Sequence, residues 1–361
     1  MTFTIDMTIL LYLLPLIALA VNIWLKNKIA RIAVFCYYIL LICLRWQVGV
    51  DFTVYLRWIN AYAYQKISIF NEPLSVGLIK LSGFLHFPRL FFIVGGLFYM
   101  GTVFFILNKT EKRYKDLTFL VLMAACLFTV FAVVRQYMAV ACTIIALHYL
   151  LKKKYLIFFI LSFAAFLFHI SSIILLLIPV LVFIIKKVNK LVILIVPPIL
   201  SVVIPLILPL LEKILGNIPL INNYAYLLTE PENAALITLN PFTIGITIII
   251  SFGVWYYIDQ IREENKDYDY QCFLIGVIGL FMLVITSNIH AGRIGIAPLV
   301  FGIPVFVRLI YKKNILAITT VCIICIFGNL FAYPWACFPY NTRSDVLWDS
   351  HTPVEWKKRM N

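Results

Sequence analysis

Long apolar runs separated by short basic blocks dominate this chain. The runs are about 16–20 residues long and do not alternate apolar with polar positions, so they predict helices rather than barrel strands. With the basic blocks on one side, spans fall near 8–25, 29–44, 90–107, 117–134, 136–151, 155–169, 170–185, 191–211, 241–258, 270–287, 294–311 and 315–333. That makes about twelve, with both termini outside. The stretch 73–87 is short and carries Lys80, so it is read as interfacial or re-entrant. Were it to cross, KTEKRYK (109–115) would lie outside, against the charge rule.

Composition supports the same architecture. The chain has 361 residues, 63% of them hydrophobic and 13% charged, with a mean hydropathy of +0.99. A soluble surface cannot hide that much apolar side chain, whereas lipid can surround it. The expectation is an all-α polytopic membrane protein, a single integral domain over 1–361. Its formal net charge of +14 does not point to nucleic acid. The cations cluster at Lys26/Lys28/Arg31, Lys109/Lys112/Arg113/Lys115, Lys152–Lys154, Lys186/Lys187/Lys190 and Lys312/Lys313, the pattern of inward-facing loops. The first run lacks a basic leader and a small-residue cleavage site, so no cleaved signal peptide is expected. Most of the eight cysteines lie inside apolar runs and are read as packing residues. Cys322 and Cys325 form a C-x-x-C in mid-span without a His or carboxylate nearby, and no metal is expected there.

Threading places Arg45, Asp51, Arg135, His169, His290 and Arg293 at or near the outer ends of spans. Ionisable groups at membrane depth are costly and face a protein interior or a wet cavity, so their gathering on one side points to one extracytoplasmic site. Arg135 and Gln136 open a helical run with no turn residue before it. A guanidinium there suits phosphate or carboxylate oxygens. His169, between Phe168 and Ile170, is read equally as a packed histidine or a functional one. His290 and Arg293 are one helical turn apart and precede small residues that permit close helix packing. No acid lies near Arg293 in sequence. Phe52, Tyr55, Trp58 or Ile59, and Tyr62 recur at helical spacing and predict an interfacial amphipathic helix. Their rings serve either as a membrane anchor or as faces for sugar or isoprenoid. The segment 45–87 is thus an outer interfacial or re-entrant element, 212–240 the longest outer loop, and 341–361 a polar tail.

Four pieces in order resemble the EpsG family, a branch of the Wzy-type O-antigen and exopolysaccharide polymerases. They are "LRWQVGVDFTVY" (44–55), "NEPLSVGLIKLSGFL" (71–85), "VRQYMAVACTIIALHYLLKKKYLIFFILSFAAFLFHISSII" (134–174), and "AGRIGIAPLVFGIPVF" (291–306) with a later "FPY" (338–340). Two positions depart from the pattern. Val50 stands where the family often has Thr, and His290 stands near Arg293 where an acid often precedes that arginine.

The resemblance implies a GT-C-like membrane glycosyltransferase in the bacterial cytoplasmic membrane, facing the exterior. It would join oligosaccharide repeat units on undecaprenyl diphosphate, moving the growing chain onto a sugar hydroxyl of the incoming unit. Neither cofactor nor metal is implied. The lipid-linked oligosaccharide is both donor and acceptor, with membrane lipids, a flippase and a chain-length regulator as further partners. Arg135 and Arg293 would stabilise charge on the leaving diphosphate. Arg45 would be a third contact or a partner for Asp51, and Asp51 or His169 the base. Glu72, Tyr55, Gln136, His290 and Tyr340 complete the expected binding residues.

The alternatives are a lipid-linked oligosaccharide flippase or other transporter, an O-antigen ligase, and a membrane O-acyltransferase using His148 or His169. No internal repeat of the kind transporters carry is visible.

Overall fold

The computed structural model describes residues 5–46, 48–49, 51–61, 72–187, 189–215, 241–264, 267–285 and 295–311. They form helices α1 (Ile5–Leu25), α2 (Lys28–Cys43), α3 (Phe52–Ala61), α4 (Pro73–Phe84), α5 (Arg89–Lys109), α6 (Lys115–Ala132), α7 (Val134–Leu151), α8 (Tyr155–Phe168), α9 (Ile178–Lys187) and α10 (Lys190–Leu215). After them come α11 (Pro241–Glu263), α12 (Asp267–Ile285) and α13 (Ile296–Tyr311). No strand occurs among the described residues. Five helices are long and apolar enough to cross a bilayer: Thr8–Leu25 within α1, all of α5 and α7, Ile244–Glu263 within α11, and α12. The protein is a multi-pass, all-helical membrane protein. The expected span at 315–333 and the tail lie outside the described residues.

Two compact units make up the chain, one from Met1–Ala146, Phe159–Ile170 and Val307–Asn361, the other from Leu147–Phe158 and Ser171–Phe306. In the first unit α1 packs on α2 and α6, α2 on α5, and α5 on α6. Asn27 caps α2, its side-chain oxygen accepting the N–H groups of Ile29 (2.8 Å) and Ala30 (3.3 Å). The first turn of α2 is tied to the start of α6 by Asp116, whose two oxygens accept from Arg31 Nε (2.6 Å) and Nη2 (2.7 Å). Asn22 Nδ2 adds a bond of 2.8 Å to the same carboxylate. The basic blocks at 26–31 and 109–115 therefore meet at one end of the unit, as the threading expects.

The helix α4 has 12 residues, about 18 Å at 1.5 Å per residue, too short for a hydrocarbon core of about 30 Å. Its partners α3 and α5 supply a core of Phe52, Tyr55, Leu56, Ile59, Phe91 and Phe92, joined by Trp46 ahead of α3, Ile79 from α4, and Val134 and Met138 from α7. The aromatic stripe Phe52/Tyr55/Ile59 thus faces protein, not the membrane surface. The helical spacing was right, but periodicity cannot tell a lipid interface from a neighbouring helix. Tyr62 lies outside the described residues.

In the second unit α10 packs on α11, and α12 on α9, α10 and α11. Lys186 pairs with Asp267 at 2.7 Å and Lys190 with Asp259, so the α9–α10 and α11–α12 turns share one end. His148 Nδ1 lies 2.7 Å from the Tyr268 hydroxyl. Its buried place there removes support for an acyltransferase histidine.

The helices α12 and α13 touch backbone to backbone. A Cβ on Gly279 would stand 2.2 Å from Leu299 N, one on Gly295 2.4 Å from Gly279 O, and one on Gly302 2.4 Å from Gly276 Cα. The small residues after Arg293 do permit the close packing expected of them. Gly279→Ala should therefore lower stability by about 2 kcal/mol through overpacking, read as a drop in the thermal unfolding midpoint in detergent. Gly253→Ala on α11, where a Cβ meets nothing within 4 Å, is the matched control and should not fall. Equal midpoints for the two variants would refute the contact.

Candidate active site

The site sits where several helix ends of the first unit converge. The α6 helix stops at Val133, whose backbone (φ −114°, ψ 63°) leaves the helical region, and α7 starts at the next residue. Arg135 therefore lies in the first turn of a new helix, next to the positive end of its dipole, where a cation is disfavoured. An anion is needed nearby, and α4 provides it.

Glu72 precedes α4 and is 4% exposed. Its backbone is left-handed (φ 63°, ψ 60°), a conformation that costs a non-glycine residue on the order of 1–3 kcal/mol. Pro73 follows at the first helical position and needs no N–H partner there. The Glu72 side chain does not cap its own helix. It turns instead to Arg135, whose Nη1 donates to Oε2, and to the chain leaving α8. His169 Nδ1 lies 2.6 Å from Oε1, and the Ile170 N–H donates to the same oxygen at 3.2 Å. One buried carboxylate thus gathers residues from α4, α7 and the α8 terminus. Among the described residues, Glu72 and Asp116 are the only buried acids.

Rings back this polar knot. The Arg135 guanidinium carbon is 4.9 Å from the Trp58 ring centre and 5.6 Å from that of Tyr55, within the range of cation–π attraction. Tyr55 is itself 3% exposed and packs on Phe91 with ring centres 4.9 Å apart. It supports Arg135 from below rather than offering a bare face to a sugar. Arg45 is 1% exposed, lies 4.9 Å from the Phe131 ring and 5.6 Å from Phe92, and donates from Nη1 to Val130 O at 3.3 Å. That bond grips the end of α6 just before the break. Arg89, which the sequence did not single out, lies 5.3 Å from the Trp46 ring. Three arginines consequently surround one aromatic cluster.

Gly49, at φ 104°, makes the turn before α3 in a conformation suited to glycine. Asp51 follows, half-buried, its carbonyl accepting the Tyr55 N–H at 3.0 Å. Gln136 is buried beside Arg135 in sequence. Arg293, His290 and Tyr340 lie outside the described residues, as does 216–240, most of the expected long loop. The sequence reads the Arg135 guanidinium as suited to phosphate or carboxylate oxygens, and the structure gives it the Glu72 carboxylate. The available signal was that Glu72 is the only acid between Asp51 and Glu111.

Electrostatics agree with an ionised Glu72. Burial works against the charge, but His169, Arg135 and the Ile170 N–H outweigh it and hold the carboxyl below its ordinary value of 4.5. A depressed carboxyl adds stability that is complete above that ordinary value and is lost as pH falls through the folded-state value. Glu72→Gln should accordingly unfold about 2 kcal/mol more easily at neutral pH. That gap to wild type should stay constant down to about pH 4.5 and close below it. A gap of the same size at about pH 3 would show that the charge of Glu72 is not what binds the knot.

The EpsG family model matches residues 28–342, a stretch that includes Arg45, Asp51, Glu72, Arg135, His169, His290, Arg293 and Tyr340. No curated protein and no solved structure matches the chain. With a family match over most of its length and the helical membrane architecture described above, this chain belongs to the EpsG family.

Proposed function

We propose that this protein is a polysaccharide polymerase acting at the outer face of the bacterial cytoplasmic membrane. Family membership supports the coarse reading, a glycosyltransferase-like polymerase. The finer reading takes undecaprenyl-diphosphate-linked repeat units as donor and acceptor, in a GT-C-like architecture of about twelve spans. The observation that carries it is the Glu72 carboxylate holding His169 and Arg135 together.

The chemistry follows from those groups. A hydroxyl oxygen of the incoming unit bonds to the anomeric carbon of the growing chain. The bond from that carbon to the lipid diphosphate breaks, and its electron pair leaves on the diphosphate oxygen. The hydroxyl proton passes to His169 Nε2, because Nδ1 faces Glu72, which fixes the ring as a carboxylate fixes a catalytic imidazole. Arg135, set by Glu72 and backed by Tyr55 and Trp58, stabilises the charge that develops on the diphosphate. Arg293 is the second arginine in this proposal. Contact between Glu72 and His169 favours His169 over Asp51 as the base. Arg45, enclosed by rings, is assigned to holding the α6–α7 break.

The decisive assay is chain elongation in proteoliposomes from the lipid-linked repeat unit. His169→Ala should slow elongation at least about 100-fold, the usual scale for a general base. Arg135→Ala should do the same through lost charge stabilisation. In cells either variant should leave single repeat units on the lipid anchor, seen as collapse of the surface-polysaccharide ladder. Normal ladders with both variants would overturn the site. Loss of all capped core, single-unit forms included, would point to a ligase or flippase instead.

A further inference from the structure

We infer that Ser75 is a positioning residue for the imidazole of His169, acting through the carbonyl of Phe168. The inference deepens the polymerase reading and rests on it for its catalytic meaning, though not for its geometry. Ser75 is 0% exposed, and its hydroxyl donates to Phe168 O at 2.7 Å. Glu72 stands just before α4 and Ser75 in its first turn, and both side chains reach the chain leaving α8.

Together they grip three successive residues. Ser75 holds the Phe168 carbonyl, while Glu72 holds the His169 ring and the Ile170 N–H. Phe168 is the last residue of α8, and the final carbonyls of an α-helix are left over by its own ladder. His169 makes one last helical bond to Ala165 O at 2.9 Å before the chain enters the 3-10 segment Ile170–Leu177. Such a long 3-10 run is uncommon and marks a place where the backbone can readily change course. The peptide units on both sides of His169 are thus pinned from outside, by Ser75 before it and Glu72 after it. Only the side-chain torsions of His169 remain to be set, and the contact with Glu72 sets them.

Without the Ser75 hydroxyl, the peptide joining Phe168 to His169 loses its anchor and the ring drifts from the carboxylate. A purely structural serine would affect unfolding but would not move the chemistry of one imidazole. The test follows that distinction. Purified full-length protein in detergent is treated with diethyl pyrocarbonate, and carbethoxylation of His169 is followed by mass spectrometry. The exposed His86 serves as internal reference.

Ser75→Ala should raise the His169-to-His86 rate ratio about five-fold, the scale of one hydrogen bond. Ser75→Thr, which retains a hydroxyl, should stay within about two-fold of wild type. If S75A does not fold, S75C gives the same readout at similar volume with a weak donor, and its ratio should also rise. A wild-type ratio in the folded alanine or cysteine variant overturns the inference. In the elongation assay S75A should lower kcat and leave KM for the lipid-linked unit unchanged. Normal elongation by H169A would sink the base assignment alone, since the labelling ratio needs no substrate.

Discussion

A single buried carboxylate, that of Glu72, holds one end of the first unit together. Three unfavourable features meet at it. A negative charge is removed from water, a non-glycine residue stands in left-handed backbone, and an arginine sits at the positive end of α7. Each alone would be costly. Together the charges offset one another, and the bent backbone is what aims the carboxylate away from its own helix. Removing the acid would take from Arg135 its buried counter-charge, which is why the pair is better understood as one unit than as two residues.

The aromatic cluster beneath this knot determines how strongly its charges act. Tyr55, Phe91, Phe92 and Phe52 exclude water, and their faces accept Arg45 and Arg135 without neutralising them. A guanidinium held this way keeps its charge while losing its freedom to reorient. That is the condition under which fixed donors stabilise a developing anion most effectively, because nothing has to move as the charge appears. Ring stacking such as that of Phe52 on Phe92, with centres 4.4 Å apart, is therefore part of the electrostatics as well as the packing.

Much of this was legible in the sequence, for identifiable reasons. Apolar runs and basic blocks report directly on helices and their ends, so α1, α5 and α12 fell where expected. His169 and Arg135 were picked out because ionisable groups are rare in such surroundings. The pairing itself was not legible. Glu72 lies 63 residues from Arg135 along the chain, and no local pattern records that α4 folds its first turn against α7 and the end of α8. Tyr55 illustrates the reverse error. Its helical spacing was correctly read, but a stripe that faces protein and one that faces lipid have the same period.

The two acids buried among the described residues of the first unit have a further implication, one of register. Asp116 takes Arg31 from the first turn of α2 and Asn22 from the last turn of α1 at one end, and Glu72 takes Arg135 from α7 at the other. Between those points runs α6, from Lys115 to the break at Val133. Sliding this helix by one turn, about 5.4 Å, would part both carboxylates from their partners at once. Apolar helix faces in lipid tolerate such slippage, since one ring or methyl replaces another with little penalty. The paired ends make the unit a ruler with two fixed marks, and the distance between them sets how far from the Asp116 end Arg135 must stand.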